Sequence, residues 1–223
     1  MLIRKELLEF LSDLEKNNNR DWFNERKPVF KAHQESVKSF FAHIHSRLGE
    51  FDKVESHKIW RIYNDVRFSK NKLPYKTRFG GTFKRSTALL RGGYYLNLEP
   101  GGKSAVGGGF YAPEKKDLLR IRKEFEASDQ AIRKILSDQE FVALFGKLEG
   151  SELKTAPKGF NKDHKAIDLI KKKNFYAVRR FTDQEVLEPN FADEVIKSFL
   201  ALRPYFDYMS AVLTTNLNGE SIL

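Results

Sequence analysis

Residues 65–77 contain the densest group of chemically capable side chains in this chain, Asp-Val-Arg-Phe-Ser-Lys-Asn-Lys-Leu-Pro-Tyr-Lys-Thr. The segment carries one carboxylate, four cations, two hydroxyl side chains besides its tyrosine, and a proline that restricts the backbone. Planar arginines bind phosphate or carboxylate through paired hydrogen bonds, and lysines add positive charge. The sequence therefore predicts an anion-binding site with contributions from Arg61, Arg67, Ser69, Lys70, Lys72, Tyr75 and Lys76.

The positive charge of the chain is concentrated around this segment. Between residues 53 and 91, eleven lysines and arginines stand against two acids, which gives a net charge of +9. The formal net charge of the whole chain is +10. A local excess of charge attracts anions, whereas a dispersed excess mainly aids solubility. We therefore expect an anionic small molecule as the partner, with nucleic acid as the alternative class.

Alternation along two predicted strands brings further polar residues towards the same place. Residues 59–66 are rich in β-branched and aromatic side chains, and residues 92–98 form a second strand. In the first strand, alternation directs the apolar Trp60, Ile62, Val66 and Phe68 towards the core. If the polar faces of the two strands align, one pocket floor carries Arg61, Arg67, Tyr95, Asn97 and Glu99.

Three residues are candidates for acid–base chemistry. Asp65 and Glu99 are carboxylates near the basic segment, and His164 follows Asp163 at a predicted helix start, where backbone N–H groups favour an anion. The alternative for Asp65 is an ion pair that orients the arginines, and the alternative for His164 is that Asp163 caps the helix and leaves the imidazole exposed. Lys158, in the loop before His164, is expected to approach the ligand.

Other short motifs carry less weight. Ser69 and Lys72 have the spacing of a lysine-activated serine nucleophile, but Pro74 and the β-rich approach favour an extended loop over the helix that this chemistry needs. There is no cysteine, and the five histidines do not show a metal-binding spacing. The sequence predicts no metal site and indicates no particular cofactor.

The elements that must position these residues follow a clear order. Helical periodicity around Leu7, Leu11 and Leu14 stops at three consecutive asparagines, and a second helix begins near Pro28 and ends at Gly49. A short turn is expected between them around residues 21–23. Strands follow, then helices with one late strand at residues 175–181, and two of the helices are predicted to begin with capping boxes, at residues 137–140 and 182–185. This order favours α+β over regular βαβ alternation. We predict a single domain over residues 1–223, with a central, mainly antiparallel sheet packed by helices.

Composition supports a folded core. Hydrophobic residues make up 40% of the chain, and no stretch approaches the length of a membrane span. The N-terminus is charged within six residues and lacks the apolar core of a signal peptide. These features predict a cytoplasmic protein without a membrane partner.

The order of motifs resembles a family of bacterial and fungal conserved hypothetical proteins, domain of unknown function 2461. The resemblance rests on residues 17–23, 61–77, 93–96, 99–100, 107–109, 120–122, 153–160, 163–168 and 202–204. One departure is Asn71, where the family often has an aspartate. The resemblance implies one full-length domain of mixed α and β content, and it supplies no catalytic residue.

Four functional hypotheses follow from these residues. The leading one is recognition of a phosphate-bearing or other anionic ligand in a basic, aromatic-lined cleft. The alternatives are nucleic-acid binding by the same face, an enzyme acting on a phosphorylated small molecule, and a purely structural ion-pair network. A concave site favours a small ligand, and an elongated basic face favours nucleic acid.

Overall fold

The computed structural model describes residues 2–65, 67 and 72–223. The chain begins with helices α1 (Lys5–Lys16), α2 (Arg20–Glu25) and α3 (Lys27–Leu48). Four strands follow, β1 (Val54–Ile59), β2 (Phe79–Arg85), β3 (Gly93–Leu98) and β4 (Ser104–Phe110). The next elements are α4 (Lys115–Ala127), α5 (Gln130–Leu136), α6 (Gln139–Phe145), α7 (Ile167–Ile170) and β5 (Phe175–Phe181). The last helices are α8 (Asp183–Leu187), α9 (Phe191–Ala201) and α10 (Arg203–Thr214).

The five strands form one antiparallel sheet in the order β1-β2-β3-β4-β5. Each strand therefore pairs with its neighbour in sequence, which is the arrangement that short antiparallel connections favour. The α+β class with a central antiparallel sheet packed by helices is confirmed. In the part of the chain that the structure describes, no helix combines the length and the apolar character that crossing a bilayer requires.

The N-terminal helices form where the sequence signals place them, with one addition. Helix α1 ends at Asn17, whose backbone N–H donates to the carbonyl of Asp13. Helix α3 has a proline in its first turn and is capped by Gly49, so both predicted helices are confirmed. The segment between them was expected to be a turn, but it is α2, because the side chain of Asn19 accepts the N–H of Trp22 and caps a helical turn.

Helix caps in the C-terminal half partly differ from expectation. The capping box of Thr182 and Glu185 is present at the start of α8, as the sequence predicts. Helix α6 was expected to begin with a capping box at Ser137, but Asp138 caps it by accepting two backbone N–H groups. An aspartate is favoured there because its charge also complements the positive end of the helix.

Strands β1 and β2 differ from the sequence expectation. The strand predicted over residues 59–66 is wrong in its bounds, because regular pairing ends at Ile59. Strand β2 was not predicted, because two glycines near its start weaken the strand signal. Gly81 is required there, since a Cβ atom would lie 2.6 Å from the ring of Phe41 and closer still to the carbonyl of Lys58.

The chain divides into two compact units. The first comprises residues 1–83, 95–106 and 180–197. Its core is aromatic: the ring of Phe30 stacks on Phe79 with centroids 5.8 Å apart, and Phe41 stacks on Phe83 at 5.4 Å. These contacts pack α3 against one face of β2. The side chains of the alternate residues therefore lie on the opposite face of the strand.

The second unit comprises residues 84–94, 107–179 and 198–223. Tyr94 packs between Phe199 and Phe206, with ring centroids 4.9 Å from each. The guanidinium of Arg85 is fully buried and donates to the carboxylate of Asp207 at 2.8 Å. The single-domain organisation of residues 1–223 stays a prediction.

Candidate functional site

The connection between β1 and β2 forms a closed loop rather than a continuous strand. The N–H of Asn64 donates to the carbonyl of Pro74 at 2.9 Å, and the N–H of Lys76 donates to the carbonyl of Ile62 at 2.7 Å. Tyr63 and Tyr75 form an isolated antiparallel bridge between the two legs. The loop therefore has a fixed base that can hold side chains in defined positions.

Asn18, at the end of the first helical segment, attaches this loop to the N-terminal helices. Its amide N–H donates to the carbonyl of Tyr75 at 2.9 Å, and its side-chain oxygen accepts the N–H of Tyr75 at 3.1 Å. The ring of Tyr75 is buried and stacks on Phe23 with centroids 3.9 Å apart. Burial raises the pKa of the Tyr75 phenol. The loop is thus fixed by one amide and one stacked ring.

A cleft of about 360 Å³, which we call the 64–78 cleft, lies at the base of this loop. Amides, a hydroxyl, a carboxylate and two cations lie close together around it. Its lining residues are Asn18, Asn64, Asp65, Leu73, Tyr75, Lys76, Thr77 and Arg78. Asp65, Tyr75 and Lys76 are the sequence-predicted site residues that line it.

Lys76 holds the first leg of the loop. Its ammonium donates to the carbonyls of Arg61 and Tyr63, each at 2.8 Å. Burial lowers the pKa of Lys76, and the charges of Arg61 and Arg78 lower it further. The site therefore crowds three cations, and their mutual repulsion is an electrostatic cost that a bound anion would relieve.

Asp65 is engaged by Arg67. The guanidinium donates to both carboxylate oxygens, at 3.0 Å and 2.7 Å, and the backbone N–H of Arg67 adds a third hydrogen bond at 3.2 Å. The hydrogen bonds from Arg67 lower the pKa of Asp65. Asp65 therefore has the geometry of the ion-pair partner considered above, and its negative charge is largely offset.

A row of polar residues runs along β2 and β3 beside the cleft. The amide of Asn97 donates to Glu99 at 3.1 Å, and a carboxylate oxygen of Glu99 lies 3.6 Å from the guanidinium of Arg78. Tyr95, Asn97 and Glu99 are on one face by alternation. Burial raises the pKa of the Tyr95 phenol, with smaller opposing effects from Arg78 and Glu99.

The predicted alternation fails at Trp60, which is not in the core. Its backbone N–H donates to the carbonyl of Gly80 at 2.8 Å, and its half-buried indole stacks on Tyr95. The reason is that Trp60 pairs with a glycine, which leaves room for the ring on the polar face of β2. Trp60 therefore lies on the same face as Tyr95 and Asn97. Alternation had placed Arg61 and Arg67 on that face.

The remaining predicted ligand residues have varied positions. Arg61 is exposed, and its charge acts on both Asp65 and Lys76, two lining residues of the cleft. Lys72 is also exposed. Ser69 and Lys70 lie outside the described residues, as do Val66 and Phe68, which alternation had directed towards the core. The carbonyl of Arg61 accepts from the ammonium of Lys76, so the backbone of Arg61 lies beside the cleft.

Lys158 and His164 belong to the second unit and are described within it. Lys158 is exposed. The Nδ1 atom of His164 accepts the N–H of Ala166 at 3.2 Å, and the carbonyl of His164 accepts the N–H of Ile167. His164 thus caps the turn before α7, a role that one of the two alternatives above gave to Asp163.

Sequence reasoning did not select Asn18 or Asn64 as site residues. Asn18 stands 57 positions from its partner Tyr75, and no periodicity links the two. Asn64 donates to the carbonyl of Leu73, which only the closed loop makes possible. Among the described residues, no group of three or more histidine, aspartate or glutamate side chains could hold a metal ion.

Comparisons with known proteins give one positive result. Neither the curated proteins nor the solved structures include a match to this chain. A family model, described as "Conserved hypothetical protein (DUF2461)", matches residues 6–208. This span covers most of the 223 residues, including the whole 64–78 cleft. The chain therefore belongs to the DUF2461 family of conserved hypothetical proteins.

Proposed function

We propose that this protein binds a phosphate-bearing or other anionic small ligand in the 64–78 cleft. The observation that carries the proposal is the local charge balance. Asp65 is offset by Arg67, whereas no carboxylate of the described residues lies within ion-pair distance of Lys76 or Arg61. Arg78 touches Glu99 only at 3.6 Å, and its side chain is 43% exposed. Lys76 in the wall of the cleft, and Arg61 beside it, therefore carry positive charge that no described carboxylate pairs with.

The shape of the site favours a small ligand over a polymer. A volume of about 360 Å³ lies within the usual range of roughly 300–1,000 Å³ for small-molecule pockets. The amides of Asn18 and Asn64 and the hydroxyl of Thr77 line the same concavity. Their hydrogen-bonding groups would help orient an anion once the cations attract it. Nucleic-acid binding by the same basic face is the alternative outcome of the test below.

Binding is better supported than catalysis. The lowered pKa of Asp65 makes this carboxylate a weak proton acceptor, and its oxygens already accept three hydrogen bonds. Glu99 accepts from Asn97 and lies beside Arg78. The Nδ1 atom of His164 accepts a backbone N–H. Each candidate acid or base thus has a positional role in the fold.

The proposal is tested by thermal unfolding with inorganic phosphate, sugar phosphates and short single-stranded DNA at two salt concentrations. A small anion at about 100 times its Kd should stabilise the folded state by about 2.7 kcal/mol, since only that state has the site. For a chain of this size we expect a rise in Tm of about 5–10 °C.

Two variants and a matched control locate the effect. Arg61→Gln and Arg78→Gln should each remove most of the ligand-induced rise in Tm and leave the fold intact. Lys31→Gln removes the same charge from an exposed position of α3 and should keep the rise. Stabilisation by DNA alone that disappears at high salt would favour the nucleic-acid alternative. No rise with any anion would contradict the proposal.

A further inference from the structure

Trp60 and Tyr95 form an aromatic surface in the first unit, which we call the aromatic platform. Their ring centroids are 5.6 Å apart with an interplanar angle of 29°, and both side chains are half-buried. The indole lies close against the backbone of β2, because a Cβ atom at Gly80 would be 3.3 Å from two of its ring carbons. The glycine therefore lets the ring lie low on the sheet with part of its surface in solvent.

The aromatic platform and the 64–78 cleft adjoin at the pair Arg78 and Glu99. Arg78, one residue before β2, and Gly80 lie on the same face by alternation. They lie opposite Glu99, one residue after β3, and Asn97. Arg78 lines the cleft. The charges of Arg78 and Glu99 both affect the pKa of the Tyr95 phenol, so the phenol lies within electrostatic range of the pair. A ligand with its anionic group in the cleft would therefore extend past Arg78 and Glu99 onto the platform.

Asn97 fixes the orientation of Glu99. Its amide N–H groups donate to Glu99 at 3.1 Å and to the carbonyl of Lys103 at 3.2 Å. The reverse orientation of the amide would set its oxygen against two acceptors. In the observed orientation the side-chain oxygen of Asn97, a residue only 4% exposed, has no donor among the described residues. An unsatisfied buried oxygen is destabilising, so the hydrogen bond to Glu99 is maintained at a cost.

Glu99 consequently presents an acceptor between the cleft and the platform. Its Oε2 atom faces Asn97 and Arg78, and within the described chain its Oε1 atom makes no hydrogen bond or ion pair. A carboxylate held in this way can accept hydrogen bonds from sugar hydroxyls, as acidic residues do in dinucleotide sites. Three chemistries thus follow one another: cations, a hydroxyl acceptor and an aromatic surface.

Building on the proposed anion site, we infer that the ligand is a nucleoside phosphate. The phosphate lies against Arg61, Lys76 and Arg78, a ribose hydroxyl donates to Glu99, and the base stacks on the aromatic platform. Every base has a π-face, so stacking on Trp60 and Tyr95 adds affinity without demanding one base. The nucleoside phosphate is either a free mononucleotide or one unit of a single strand, and the two sources share this chemistry.

Calorimetric titration of the full chain measures phosphate binding in the cleft separately from base stacking on the aromatic platform. The probes are AMP, 2′-deoxy-AMP, ribose 5-phosphate and a single-stranded oligoadenylate. We expect AMP to bind at least about fivefold more tightly than ribose 5-phosphate, because stacking of one base is worth at least that factor. Trp60→Leu should reduce AMP affinity to the level of ribose 5-phosphate and leave ribose 5-phosphate unchanged. Tyr111→Leu, which removes an exposed aromatic ring of the second unit, should change neither affinity.

A fluorescence measurement keeps the inference testable if Trp60→Leu does not fold. Trp22 is the other tryptophan of the chain, so Trp22→Phe leaves Trp60 as the sole indole reporter. AMP should quench this emission, and ribose 5-phosphate at the same occupancy should not. Glu99→Gln should reduce the preference of the protein for AMP over 2′-deoxy-AMP.

The outcomes distinguish the inference from the proposed function beneath it. Equal affinities for AMP and ribose 5-phosphate, with no quenching, would overturn the nucleoside inference and leave the anion site standing. No binding of any phosphate would refute both. Oligoadenylate binding far tighter than AMP binding, still dependent on Trp60, would support the nucleoside chemistry and identify the source as a single strand.

Discussion

Replacing Lys76 by methionine tests whether this residue holds the loop that forms the cleft. The substitution keeps the length of the aliphatic stem and removes the two hydrogen bonds to the carbonyls of Arg61 and Tyr63. Hydrogen bonds from a charged donor contribute about 1.5–3 kcal/mol each. Burial and the neighbouring arginines already destabilise this ammonium, as its lowered pKa indicates. We therefore expect a net loss of about 1–2 kcal/mol for the pair, or roughly 2–8 °C in Tm.

The pH dependence of this loss has a definite sign. The pKa of Lys76 in the folded state is below its ordinary value of 10.5, so the unfolded chain binds more protons between the two values. The free energy of unfolding of the wild type should therefore rise, relative to Lys76→Met, as pH increases through the folded pKa towards 10.5. A neutral amine still carries two N–H groups, so it can keep both hydrogen bonds.

Urea unfolding between pH 7 and pH 10 measures both effects. Lys31→Met, on an exposed position of α3, is the matched control and should change stability by less than about 0.5 kcal/mol. A loss below about 0.5 kcal/mol for Lys76→Met would refute the two carbonyl contacts in solution. A stability difference that shrinks as pH rises would refute the lowered pKa.

Four further substitutions test other parts of the account. Gly81→Ala should lower the free energy of unfolding in urea by about 3 kcal/mol or more, because its Cβ would overlap a backbone carbonyl and a ring. Gly102→Ala is the control: its Cβ meets no atom within 4 Å, so it should cost only about 1 kcal/mol through its positive φ. Asn18→Ala removes two hydrogen bonds to the backbone of Tyr75 and should cost about 1–2 kcal/mol and weaken phosphate binding, measured by titration. Asp168→Asn removes a partly exposed ion pair, so it should cost under about 1 kcal/mol at pH 7. Burial opposes ionisation of Asp168, but the paired guanidinium outweighs it and lowers the pKa, so this cost should disappear as pH falls below about 3.8.

The sequence predicted the elements whose signals are local. Helix α1 and helix α3 follow from apolar spacing, Pro28 and Gly49, and the capping box at Thr182 was readable as a short motif. Strand β2 was not readable, because Gly80 and Gly81 weaken strand propensity and are explained only by what packs on them. Local chemistry was therefore visible in the sequence, whereas close approach between elements was not.

The candidate site shows the same division. The charge cluster was evident from composition, and Asp65, Tyr75 and Lys76 do line one cleft. The two hydrogen bonds between the Asn18 side chain and the backbone of Tyr75 join residues 57 positions apart, and no local pattern in the sequence indicates them. The position of Trp60 on the polar face depends on the glycine opposite it, which alternation alone does not take into account. The charges of the site could therefore be predicted from the sequence, whereas their arrangement depends on long-range contacts that could not.

The most direct test of the central claim is a titration with inorganic phosphate followed by ¹H–¹⁵N correlation spectra of the full chain. If the 64–78 cleft binds anions, saturable shifts should concentrate on the amides of Asn64, Lys76, Thr77 and Arg78 and on the side-chain amide of Asn18, and Arg78→Gln should abolish them. Non-saturating shifts spread over exposed lysines such as Lys31, unchanged in that variant, would contradict the claim.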